Sequence, residues 1–142
     1  MRKPLKVGVR TGEGPPPGYL WTVVIVDHAH EEMVKEFTEL ECEHLRDQVR
    51  TLAAEKNLRV SVILDVDAIE DFFELRDKGG VLGKKNVRVY FDVWDDQRLI
   101  LILGVVKKES EGASNPIKIR MRRRLRMLKA GEYGSPVRAA AK

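Results

Sequence analysis

An α+β fold is predicted by three features of this sequence. Two apolar runs, Val87–Trp94 and Leu99–Val106, read as a strand hairpin over the turn Asp95-Asp96-Gln97. Helix-forming residues fill His28–Asn57, and a basic helix follows Pro116 to about Ala130. A chain of 142 residues buries one core and not two. The boundaries read as a domain at 19–134 between flexible tails at 1–18 and 135–142. A net charge of +4 hides an uneven distribution: Pro116–Lys142 carries nine Lys/Arg against one acid, while Asp27–Lys56 carries nine acids against four bases. That asymmetry points to an anionic partner for the C-terminal part. The single cysteine, Cys42, excludes an internal disulfide and fits a reducing compartment. No apolar run approaches the roughly 20 residues that span a bilayer, and MRKPLKVGVR lacks the apolar segment of a secretory signal. The expectation is a cytoplasmic protein with no membrane partner.

The elements follow in order. TGEGPPPG excludes a helix or a central strand, so residues 1–18 read as a tail. YLWTVVIV from Tyr19 is β-branched and aromatic, and reads as a buried strand. Asp27 is placed to cap the next helix, with Glu31 and Glu32 in its first turns. Met33, Phe37 and Leu40 repeat at helical spacing, then Leu45, Val49 and Leu52. The five-residue step between the sets predicts a break near Glu41 and two antiparallel helices, or one bent helix. LRVSVILDV, Leu58–Val66, is extended; AIEDFFELRD, Ala68–Asp77, fits a short helix or a strand. DKGGVLGKKN is a loop. In the hairpin, Val87, Val89, Phe91 and Val93 face one way and Arg88, Tyr90, Asp92 and Trp94 the other. LILILGVV is apolar on both faces and reads as a central strand. In the closing helix Ile117, Met121, Leu125 and Leu128 form the core stripe, which places the arginines on its outer faces, and Gly131 lies just past its end.

Several candidate sites are set aside. His28 and His30 lie two apart, on diverging sides of a helix, and no second cysteine or paired ligand joins them and His44; no metal and no cofactor is expected. GGVLGKK lacks the nucleotide-binding pattern, since the position five before Gly83 is Lys78 and Lys84 is followed by Lys85. Asp65, Asp67, Glu70, Asp71 and Glu74 are dense, but no spacing holds two of them as an acid–base pair, and ion pairing is their ordinary use. Cys42 reads as a small apolar residue. The basic constellation is stronger. IKIRMRRRLRMLK holds seven bases and no acid, more than solubility requires. Arg120, Arg122, Arg123, Arg124 and Arg126, with Lys84 and Lys85 of the loop, are the candidate RNA-binding residues. Lys107 and Lys108 leave the central strand beside Arg88.

FFELRD, a glycine loop, VRVYFDV, a turn, LILILGVVKKE and a closing R-x-R-R-R-L helix together resemble the RelE/ParE toxin superfamily, in particular its phage-derived HigB-like branch. The resemblance covers Tyr19–Tyr133 and rests on its second half. It implies an N-terminal strand and a helical hairpin packed on a twisted antiparallel sheet, with the basic helix closing the fold. It further implies the toxin of a type II toxin–antitoxin pair, a ribosome-dependent, metal-independent mRNA endoribonuclease neutralised by an acidic antitoxin protein. Carried across, Arg76, Arg88, Lys107 and Lys108 take the catalytic positions. Arginines would stabilise the phosphorane formed when a ribose 2′-hydroxyl attacks its phosphate, and a lysine among cations could serve as base. A non-catalytic RNA- or ribosome-binding protein and a ParE-like gyrase inhibitor are the alternatives within the same fold.

Overall fold

The computed structural model describes residues 6–7, 20–54, 65–69, 72–77, 86–108 and 115–133. These form β1 (Lys6–Val7), β2 (Thr22–Ile25), α1 (Asp27–Glu36), α2 (Glu39–Ala53), β3 (Asp65–Ile69), β4 (Phe72–Asp77), β5 (Asn86–Trp94), β6 (Leu99–Lys108) and α3 (Asn115–Lys129). The fold is α+β, and among the described residues no helix is long and apolar enough to cross a membrane.

The six strands lie in the order β1-β2-β6-β5-β4-β3. Four pairings are antiparallel, but β2 runs parallel to β6, with Thr22 opposite Leu99 and Ile25 opposite Ile102. The sheet is therefore mixed rather than antiparallel as expected. The chain leaves β2 through both helices and returns to it only with its last strand, a long crossover of the kind parallel neighbours require. Ala68–Asp77 divides between two paired strands, β3 ending at Ile69 and β4 beginning at Phe72. Lys6 and Val7, read as part of a tail, pair with Ile25 and Val24 on the open edge of β2; the rest of 1–18, the loop with Lys84 and Lys85, and 135–142 lie outside the described residues.

As expected, β6 is central and its residues Leu99–Val105 are all buried. Directly opposed residues share a face of a sheet, so the register sorts the side chains. Val23 and Ile25 of β2, Ile100, Ile102 and Val105 of β6, and Val89, Phe91 and Val93 of β5 share one face. There they meet Met33 of α1 and Leu45 and Val49 of α2. Tyr90 and Gly104 oppose one another on the other face, where α3 packs. A Cβ on Gly104 would stand 2.5 Å from Met121 Cε and 3.0 Å from Arg124 Nη1, so a larger residue here would have to displace the ends of these two side chains. Between them Leu103 is the extra residue of a bulge: Ile102 pairs with Phe91 and Gly104 with Tyr90.

The helix boundaries differ from the periodicity. α1 ends at Glu36, and α2 starts at Glu39 behind an N-cap at Thr38, not near Glu41. Glu41 N donates to Thr38 Oγ1 at 3.2 Å and Thr38 N to Glu41 Oε1 at 2.9 Å, a reciprocal cap. Ending the first helix here turns Leu40 outward, 66% exposed, while Met33 and Phe37 stay buried. Asp27 does not cap α1: it is the first helical residue, behind Val26 as N-cap. Thr38→Ala is expected to destabilise by about 1 kcal/mol, read as a lower urea midpoint with unchanged slope; no change in the midpoint would remove the cap from the account. At the far end α3 stops as predicted, in a Schellman turn. Gly131 adopts φ 79°, its N donates to Leu128 O, and Glu132 N donates to Met127 O. The turn at Asp95–Gln97 is a 3-10 turn completed by Arg98 at φ 55°, whose guanidinium lies 5.1 Å from the Trp21 ring centre.

Candidate nucleic-acid interface

The arginines of α3 do not form one outer face. At 100° per residue, Met121, Leu125 and Leu128 point at the sheet and are buried. Arg120 and Arg124 lie on one flank, Lys118, Arg122 and Lys129 on the other, and Arg123 and Arg126 point away. Arg120, Arg123, Arg126 and Lys129 are exposed, Lys118 and Arg122 half-buried. Arg124 corrects the expectation: it is buried, and its guanidinium grips Glu32 of α1 through Nη1–Oε1 and Nη2–Oε2, both at 2.8 Å. Nη1 also donates to Leu103 O at 2.9 Å, and Val105 N donates to Glu32 Oε1 at 3.2 Å. The pair thus satisfies backbone groups of β6 beyond the point where β2 stops. Arg120 Nη1 stands 3.7 Å from Glu32 Oε2, an outer member of the same cluster.

A second charged cluster joins β4 and β5. Arg76 lies opposite Arg88, and Glu74 opposite Tyr90, on the face that carries Gly104. Glu74 is completely buried; its Oε1 accepts from Arg76 Nε at 2.8 Å and stands 3.7 Å from Arg88 Nε, too far for a hydrogen bond. Arg88 itself is buried, with Nη1 donating to Val87 O at 3.3 Å. It does not project from the rim as its place in the strand suggested, whereas Arg76 keeps 29% of its side chain exposed. Burial, reinforced by the Glu74 carboxylate, pushes the Tyr90 phenol well above its ordinary value, so this tyrosine is a neutral member of the cluster.

Of the four residues expected to act together, the register brings Arg76 and Arg88 to one face, with Lys108 at a position of that same face, and sends Lys107 to the other. Lys107 pairs in register with Val87, on the face covered by the helical hairpin, and its ammonium lies 5.0 Å from the Phe37 ring centre. Arg76 and Arg88 belong to the opposite face. Lys108 ends β6 opposite Asn86. The reason is the period of two along a strand: Arg88 and the residue opposite it, Val106, share one face, so Lys107 must take the other.

Among the other candidates, His28 Nδ1 bonds the Tyr133 hydroxyl at 2.6 Å, which ties the end of α3 to α1. Burial raises the Tyr133 phenol and the Cys42 thiol. Cys42 is buried with Sγ 3.4 Å from Met33 O, a packing residue as expected. Among the described residues no group of three His, Cys, Asp or Glu side chains could hold a metal ion. Glu32 and Glu74 organise the two arginine clusters: Glu74 is one of the acids expected to form ion pairs and does so, whereas Glu32 was placed only in the first turns of its helix and its role was missed. Glu32 meets a partner 92 positions away, which no local spacing reveals, whereas Glu74 stands two residues before Arg76 in one strand, a same-face spacing. Searches of protein-family models, curated proteins and solved structures give no match to this chain.

Proposed function

We propose that this chain is a RelE/ParE-like protein that binds RNA, in the setting of the ribosome, through the outer side of α3. One observation carries the reading: Asn115–Lys129 contains no acid, and Arg120, Arg123, Arg126 and Lys129 stay exposed after Arg124 has been consumed by the fold. Exposed guanidinium groups along one helix suit phosphate oxygens, and sequence-independent affinity follows from release of counterions. The order strand, helical hairpin, antiparallel hairpins and closing basic helix is also the one the resemblance implies.

The test is anisotropy of a labelled single-stranded RNA over a range of salt concentrations. Wild type is expected to bind with a steep salt dependence. Arg123→Gln/Arg126→Gln should weaken binding and flatten the slope of log K against log salt by about 1.4, two contacts at about 0.7 each. Binding with an unchanged slope would move the interface elsewhere, and no binding would end the reading.

A type II toxin acting as an mRNA endoribonuclease, held in check by an acidic antitoxin, is the second reading. It is favoured by Arg76 and Arg88 facing each other across adjacent strands. With Lys107 on the opposite face, charge stabilisation of the phosphorane would fall to this arginine pair, Arg76 being its exposed member. Induced expression should then arrest growth and produce mRNA ends mapped by primer extension, and Arg76→Ala should abolish both while remaining folded. Arrest that survives Arg76→Ala would exclude this pair as the catalytic centre.

A further inference from the structure

The face of the sheet opposite α3 does not close completely against the helical hairpin. A cavity of about 160 Å³ remains between β2, β5, β6 and the two helices. Its walls include Val23, Ile102 and Val89 from the sheet and Met33, Leu45 and Val49 from the helices. Protein interiors pack nearly as densely as organic crystals, and apolar walls left uncovered here forgo the gain of burial. The pocket opens to solvent on one side, so its apolar walls are wetted until an apolar body covers them. Space of about 150 Å³ is enough for a benzene-sized molecule.

The polar side chains of the lining are His30 of α1 and Arg46 of α2. They are also the lining residues that reach solvent: Arg46 is exposed and His30 half-buried, while the apolar ones are buried. The mouth therefore stands where these two side chains are. Arg46 follows Leu45 and precedes Val49 by three, so its stem rises from the same side of α2 as the rim of the cavity. An apolar chamber with a guanidinium at its entrance recognises a molecule of two parts.

We propose that this cavity binds a small monocarboxylate whose apolar body has about six to eight carbon atoms, with the carboxylate held at the mouth by Arg46 and the body lying against Val23, Ile102, Leu45 and Val49. The site shares no residue with α3 and stands independently of RNA binding.

The full chain would be titrated with sodium benzoate, sodium hexanoate and benzamide, the neutral counterpart of benzoate, while methyl resonances of valine, leucine and isoleucine are followed by NMR. Benzoate and hexanoate should shift the methyls of Val23, Leu45 and Ile102 saturably, with Kd of about 1 mM or tighter, reasonable for ligands this small. Benzamide should bind about tenfold more weakly, the worth of one charge-assisted hydrogen bond. Arg46→Gln should bring benzoate down to the affinity of benzamide and leave benzamide unchanged. Val49→Phe, which fills the chamber, should abolish all three; should that variant not fold, Arg46→Gln, an exposed change, still decides. No saturable shift at these methyls, equal binding of benzoate and benzamide, or indifference to Arg46→Gln would each overturn the proposal.

Discussion

Arg124→Ala is expected to lower the unfolding free energy by about 3–5 kcal/mol, the cost of breaking a largely buried ion pair from one side. Glu32 would keep the Val105 N–H and, as a counter-charge, Arg120 at 3.7 Å and half in solvent, and Leu103 O would lose its side-chain donor. The loss is a large part of the total stability of a domain this size, so the end of α3 should loosen from α1 as well. Arg124→Lys tests the geometry separately from the charge. One ammonium cannot span both carboxylate oxygens in the planar fork that the guanidinium provides, so an intermediate loss is expected. Arg123→Ala, one residue away on the outer side, should leave the urea midpoint unchanged. The RNA assay should show the reverse ranking, with Arg123 affecting binding and Arg124→Lys acting only through stability. Equal midpoints for Arg124→Ala and Arg123→Ala would mean that the Glu32 pair does not hold the helix.

Glu74→Ala is expected to cost a similar amount, about 3–5 kcal/mol, for a related reason. Glu74 is fully buried and Arg88 nearly so, so removing the carboxylate leaves a guanidinium in the sheet without its counter-charge. Arg76, with 29% of its side chain exposed, can turn to solvent; Arg88 cannot. Replacing both buried partners by apolar residues, Glu74→Leu/Arg88→Met, should therefore cost clearly less than Glu74→Ala alone. A double-mutant cycle on urea denaturation measures the coupling. Additive losses would show that the two side chains do not act as a pair. The same cycle bears on function, because an Arg88 held by Glu74 for stability is not free to reach RNA unless the cluster opens.

The hydrophobic pattern carried much of the fold. Alternation in Val87–Trp94, the doubly apolar LILILGVV and the stripe Met121, Leu125, Leu128 each define an element by a local period, and each element is present. Gly131 ends α3 for a reason equally local, the left-handed backbone that glycine accepts. Thr38 and Glu41 were legible too, as a capping box, yet the apolar count pulled the break three residues too far along.

What a local period cannot reveal is the partner of a charge. The sequence shows Arg120, Arg123 and Arg124 as equivalent bases on one helix. Only the packing of α3 over Gly104 brings Arg124 to Glu32 and leaves Arg123 in solvent. Likewise Arg88 and Lys107 look like neighbours on adjacent strands, and the register sends them to opposite faces. Burial of apolar surface is nearly additive along the chain and is written into composition and spacing. Electrostatic pairing depends on distances between residues far apart in sequence, and those exist only once the sheet and helices have been assembled.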